Sequence, residues 1–177
     1  TQCSACNSLR IEASEFKPSR HQRRILNKNR DITWQLSHQD KPIYYALYER
    51  YIQQRHADGS MYPPSYSQYK QFLLCNWLEP FFLEFYEDDK LIAVAVTDIL
   101  PHSLSAMYTF YDPDFEAYSL GTFAILTQLQ LTLRMGRTYL YLGYQVDNCR
   151  KMNYKSSYLP HERLKNKVWE KYTITGD

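Results

Sequence analysis

Residues 106–111 read Ala106-Met107-Tyr108-Thr109-Phe110-Tyr111, and residues 139–144 read Tyr139-Leu140-Tyr141-Leu142-Gly143-Tyr144. Both runs are rich in aromatic and aliphatic side chains, so both read as strands. Asp112-Pro113-Asp114 stops the first. Between them, Ser119-Leu120-Gly121-Thr122 opens a helix with Phe123, Leu126, Leu129 and Leu133 as its apolar stripe, and Gly136 ends it. A strand, a long helix and a second strand make a crossover that sets the two strands parallel with a right-handed turn. The start of that helix offers backbone N–H groups to an anion, and Gly121 sits there.

The reading extends outward from this unit. Residues 81–86 and 91–99 form a hairpin around Glu87-Asp88-Asp89-Lys90, and the 106–111 strand completes a meander. Residues 9–16 read as a short strand and 32–37 as a half-buried one. A helix starts at Pro18 or Ser19 and runs to about Asn29. Ile43, Leu47, Tyr51 and Ile52 give a second helix over 41–57. After Pro63-Pro64, Ser65 caps a third helix with Tyr69, Phe72, Leu73 and Trp77 as its buried stripe. Residues 147–172 read as irregular and helical. The expectation is an α+β fold: a mixed sheet with one parallel crossover, as in the GCN5-related N-acetyltransferases. Residues 1–30 form an N-terminal segment with a basic helix, and residues 31–177 the acyltransferase-like domain.

A 177-residue chain buries about 70% of the surface it exposes when unfolded and needs no disulfide scaffold. With 44% hydrophobic and 23% charged residues, it is neither disordered nor collagen-like. Its longest aliphatic run covers 91–96, far short of the roughly 18 residues of a membrane span. No secretory signal pattern is visible. Net charge is +2, but Lys17, Arg20, Arg23, Arg24, Lys28 and Arg30 lie in 17–30 without an acid. Removing those six charges leaves −4 for the rest, so the basicity sits in one segment, either an anion-binding patch or a solvated helix face.

Cys75 and Cys149 lie among aromatic or apolar residues and read as reduced, packed thiols of a cytoplasmic protein. Cys3 and Cys6 form Cys-x-x-Cys, which supplies two of the four ligands of a tetrahedral zinc site.

Four blocks, in order, carry a family resemblance. The first is Cys3-x-x-Cys6 with Leu9-Arg10-Ile11 and 16–24. The second is Tyr51, Arg55-His56 and Asp58-Gly59-Ser60-Met61. The third is 95–101 with Leu104-Ser105, 108–114 and Ser119-Leu120-Gly121. The fourth is 141–144 with Lys151-Met152-Asn153-Tyr154-Lys155. Together they resemble the aminoacyl-tRNA–protein transferases: the arginyl transferases and their shorter bacterial leucyl-transferring relatives. The resemblance implies transfer of an aminoacyl group from charged tRNA to a protein N-terminus, with no cofactor required. The short spacings imply the bacterial form, with leucyl-tRNA as donor, acceptors beginning with Asp or Glu, and a product directed to N-end rule degradation. The family's pattern has further cysteine before Cys3, so Zn or Fe–S at Cys3 and Cys6 needs upstream ligands.

The chemistry is attack of an α-amine on a tRNA ester. Asp98, at the end of an apolar strand, binds or deprotonates the acceptor amine, or caps the Pro101 turn. His56, at a helix end, contacts tRNA, shuttles a proton, or caps the surface. Arg20 and Arg24, four apart, share a face for tRNA phosphate. Arg23 points elsewhere and is free for the acceptor's acid. Lys151 and Lys155 make a second phosphate contact or a solvated face, and Gly121 takes terminal phosphates. Tyrosine is frequent, at 17 residues. Tyr108, Tyr111, Tyr141 and Tyr144 lie on the crossover strands, where one can stack an adenine, and Tyr111 and Tyr144 also face the acceptor. Two other readings remain: an acyl-CoA N-acetyltransferase, which wants more glycine than Gly121 alone, and a non-catalytic RNA-binding module.

Overall fold

The computed structural model describes residues 7–74, 80–145 and 153–174. Along the chain run β1 (Asn7–Glu12), α1 (Arg20–Lys28), β2 (Thr33–Ser37), α2 (Pro42–Arg55) and α3 (Tyr66–Tyr69), which continues as a π-helical turn over Lys70–Leu74. Then come β3 (Phe81–Glu87), β4 (Lys90–Ile99), β5 (Ser103–Tyr111), a 3-10 turn (Pro113–Tyr118), α4 (Leu120–Arg134) and β6 (Tyr139–Gln145). A second 3-10 turn (Asn153–Ser157) leads to β7 (His161–Lys165) and β8 (Val168–Tyr172). The strands form one sheet in the order β2-β3-β4-β5-β6-β1-β7-β8. Every neighbouring pair is antiparallel except β5 and β6, the two strands joined through α4.

Each face of the sheet carries its own core. α1 and α4 cover one face, where Ile11, Leu83, Ala93, Ala95 and Leu104 meet Phe123, Leu126 and Leu129. α2 and α3 cover the other, where Tyr44, Tyr48, Tyr51 and Tyr69 pack on Phe82, Val94, Val96 and Phe110. The central strand β4 is buried from Leu91 to Asp98, which explains the near-continuous apolar run there. Ser19 and Gln22 close a capping box at the start of α1, and Ser65 caps α3.

The sequence reading needs correction at several points. Ile43, Phe72 and Leu133, expected in buried stripes, are half exposed, and Tyr44 takes the core position beside Ile43. Residues 161–172, expected to be irregular and helical, form the β7–β8 hairpin. Its two-residue turn is Asn166-Lys167, both with positive φ (49° and 66°), the twist of a type I′ turn. Arg10 of β1 ties this hairpin to the sheet. Its guanidinium lies 3.9 Å from the ring centroids of both Tyr139 on β6 and Trp169 on β8, and its Nε donates to Glu162 of β7 at 2.6 Å. Trp77 lies outside the described residues.

Two strands bulge. Val96 pairs with Tyr108 and Thr97 with Ala106, which leaves Met107 as the extra residue of β5. Leu9 pairs with Gly143 and Arg10 with Tyr141, which leaves Leu142 as the extra residue of β6. Gly143 has φ +78°, the left-handed geometry a glycine bulge uses. The parallel pairing of β5 and β6 covers only Ser103–Ser105 against Tyr139–Tyr141, and beyond it the strands part.

Buried carboxylates anchor the second face. Glu84 is fully buried on β3 and accepts from Gln35 at 2.7 Å, Lys41 at 2.5 Å, Tyr86 at 3.0 Å and Tyr44. Burial pushes its pKa up, but the four donors outweigh burial and hold it below the usual carboxylate value. A depressed folded pKa gives stability that is present above the unfolded value, about 4.3, and lost as pH falls through the folded one. Stability therefore falls in acid, and Glu84→Gln, about 1–3 kcal/mol less stable at pH 7, flattens that acid dependence. Denaturant unfolding at pH 7 and pH 3.5 reads both, and equal pH slopes in the two proteins would contradict the account. At the β6 bulge, Gly143→Ala costs about 1–2 kcal/mol in the same measurement at pH 7. That cost is conformational, because an added β-carbon would lie 4.0 Å from the Lys155 ammonium, ordinary contact distance.

Candidate active site

Where β5 and β6 part, a cavity of about 420 Å³ opens against the first turn of α4 and the end of α2. Both bulge residues, Met107 and Leu142, line it. The parting of parallel strands beside a helix N-terminus is a place where an α/β sheet binds ligands. Leu142, Ile125 of α4 and Ala106 make one wall apolar. Gly121 and Thr122 put the first turn of α4, the positive end of its dipole, at the cavity.

The other wall is aromatic. Tyr51, Tyr108 and Tyr111 line it together with His56, the residue that ends α2. The Tyr51 ring lies 4.9 Å from Tyr111 and 4.8 Å from the His56 imidazole, edge-on to the latter. Burial pushes the Tyr51 and Tyr108 hydroxyls well above the ordinary tyrosine value, so both stay neutral at working pH. The wall can position a substrate and donate hydrogen bonds to it, and it holds one imidazole able to take a proton.

The structure brings together His56, Tyr108, Tyr111 and Gly121 of the residues singled out in the sequence. Asp98 is buried on β4, paired in register with Ser105 and on the same sheet face as Val94 and Val96, one strand over from the cavity wall. Arg20, Arg23 and Arg24 are exposed on α1, and the Arg23 guanidinium donates to the Pro18 carbonyl at 3.1 Å. Tyr144 is half exposed at the end of β6. Lys155 is buried, with its ammonium donating to the Tyr144 carbonyl at 2.5 Å. Cys3, Cys6, Cys75, Cys149 and Lys151 lie outside the described residues. Among the described residues, no three His, Cys, Asp or Glu side chains gather as a metal site, and no helix is long and apolar enough to cross a membrane.

The sequence reading missed Tyr51, Thr122, Ile125, Leu142 and Met107 as cavity residues. Tyr51 and Ile125 looked like ordinary core positions at helical spacing. The Gly143 that turns β6 out of register was the one local signal for Leu142.

The family model described as "Arginine-tRNA-protein transferase, C terminus" matches residues 43–165. An aspartate/glutamate leucyltransferase of Aeromonas salmonicida (strain A449) is 63% identical over 168 residues, covering 95% of this chain and 71% of its own length. Among solved structures, L-PGS from Bacillus licheniformis has a TM-score of 0.59 at 14% identity, over 98% of this chain and 61% of that one. A tandem GNAT protein from the clavulanic acid biosynthesis pathway has a TM-score of 0.54 at 11% identity, over 95% of this chain and 52% of that one. These two likenesses concern the fold alone, and with the single parallel pair they make it the GCN5-related N-acetyltransferase-like fold the sequence led us to expect. On the family match and the 63% identity, the chain belongs to the aminoacyl-tRNA–protein transferases, among the aspartate/glutamate leucyltransferases.

Proposed function

We propose that this chain transfers leucine from leucyl-tRNA to the α-amine of proteins beginning with Asp or Glu, marking them for N-end rule degradation. The observation that carries the reading is the cavity at the parted strands, with an apolar wall of Ile125 and Leu142 facing a wall of tyrosines and His56. A leucyl side chain suits the first wall, and an amine nucleophile suits the second.

The donor is an ester, and an α-amine of pKa about 7.7–8.0 is appreciably neutral at pH 7. Transfer needs no covalent enzyme intermediate. Holding amine and ester carbonyl together can lower the barrier by about 7–11 kcal/mol. In this mechanism the amine adds to the carbonyl, the tetrahedral intermediate loses a proton from nitrogen, and the ribose oxygen leaves. His56 takes that proton and returns it to the departing ribose oxygen, and the Asp98 carboxylate acts on the ammonium through its charge, at a distance, from β4. The first turn of α4 at Gly121 faces the terminal phosphates of the tRNA. Arg20 and Arg24 neutralise phosphates along α1, while the buried Lys155 ammonium stays on the Tyr144 carbonyl. Tyr144 and Tyr111 offer ring faces to the terminal adenosine and the acceptor.

Radiolabelled leucyl-tRNA and arginyl-tRNA, each offered peptides beginning Asp, Glu, Lys or Ala, test the reading. Leucine is expected on the Asp and Glu peptides only. Leu142→Ala should lower kcat/KM for the leucyl donor by about 10–100-fold while binding of uncharged tRNA is unchanged. Arginine transfer would move the donor to the arginyl class, and silence with both donors would remove the enzymatic reading.

A further inference from the structure

An acceptor beginning with Asp or Glu presents a side-chain carboxylate a few ångströms from its reacting amine. A site that selects it needs a cation beside the amine's position. Arg23, expected from the sequence for this task, sits on α1 with its guanidinium on the Pro18 carbonyl. Two arginines stand on α2, whose C-terminal end forms part of the cavity wall. Arg50 is committed elsewhere: it pairs at 3.1 Å with Asp112, which is 1% exposed and also held by Lys90 at 2.9 Å. Exchanging that buried carboxylate for another would unpick the junction of α2, β4 and the 113–118 turn.

Arg55 differs in each respect. It follows Tyr51 by four residues, so the two share a helix face, and it precedes His56, which lines the cavity as Tyr51 does. Tyr51 in turn packs 4.9 Å from Tyr111, so Arg55 follows on from the tyrosine wall of the cavity. Its ion-pair partner is Glu116 at 2.5 Å, on the turn that links Tyr111 to α4. Arg55 is 37% and Glu116 56% exposed, so the pair lies open to solvent, with Arg55 next in sequence to the lining residue His56. An exposed ion pair of this kind is weak in net terms and readily exchanged.

Resting on the proposed transferase reading, we infer that Arg55 is the specificity residue for the acceptor: its guanidinium takes the side-chain carboxylate of the N-terminal Asp or Glu in exchange for Glu116. Binding there sets the α-amine on the Tyr51–His56 side of the cavity. Asn and Gln match Asp and Glu in shape but lack the charge. Arg55 and Glu116 thereby turn a cavity that fits either kind into one that favours acids.

The test uses the whole chain with leucyl-tRNA and four peptides that differ only in the first residue: Asp, Glu, Asn and Gln. The wild-type protein is expected to load the first two. If it transfers leucine to none, the transferase reading itself fails. Given wild-type selectivity, Arg55→Gln is expected to lower kcat/KM for the Asp and Glu peptides by about 100-fold. That loss should lie in KM rather than kcat and bring them level with Asn and Gln. Arg55→Lys should recover part of the preference, because it keeps charge without the two-pronged geometry. Glu116→Gln separates recognition from scaffolding: it is expected to lower KM for the acidic peptides by removing the competing carboxylate. Unchanged selectivity in Arg55→Gln, or a Glu116→Gln variant as impaired as Arg55→Gln, would overturn the assignment while leaving the transferase reading standing.

Discussion

The pairing of the two parallel strands stops just short of the residue where each one bulges against its other neighbour. β5 and β6 hold together over Ser103–Ser105 and Tyr139–Tyr141 and then part at the Met107 and Leu142 bulges. The cavity, its apolar wall and the approach of α4's first turn all follow from that parting. The rest of the fold holds the two strands where they are. β4 pins β5 from the outside, β1 pins β6, and α4 spans both from one face.

The cavity joins two chemically different halves because the sheet has two different cores. The α1–α4 side is aliphatic and supplies Ile125 and Leu142. The α2–α3 side is tyrosine-rich and supplies Tyr51, Tyr108 and Tyr111. A donor carrying an apolar side chain and an acceptor carrying an amine and a carboxylate therefore meet walls of matching character. The ion pairs from α2 to the 112–116 stretch, Arg50 with Asp112 and Asp114 and Arg55 with Glu116, set how far the tyrosine wall stands from α4.

The crossover was legible because its signals are local. Alternating aromatics, the Asp112-Pro113-Asp114 stop, a 15-residue amphipathic helix and a glycine end each specify one element. The β7–β8 hairpin was not. His161-Glu162-Arg163-Leu164-Lys165 and Val168-Trp169-Glu170-Lys171-Tyr172 are too charged to announce strands, and Asn166-Lys167 lacks the glycine that marks a type I′ turn. What holds the hairpin is Arg10 between Tyr139 and Trp169, a contact across 159 positions of sequence that no local pattern contains. The site was half legible for the same reason. His56, Tyr111 and Gly121 stand at element ends and could be found there. Tyr51, Ile125 and Leu142 look like core until the strands part beside them.

The central claim is that the cavity between β5 and β6 is where a leucyl ester is held for attack. A crystal structure of the protein with a non-hydrolysable leucyl-adenosine analogue tests it most directly. The account predicts the leucyl side chain against Ile125 and Leu142, with its carbonyl facing the Tyr51–His56 wall. An analogue bound elsewhere on the sheet, or seated in this cavity with adenosine where the leucyl group should lie, would contradict it.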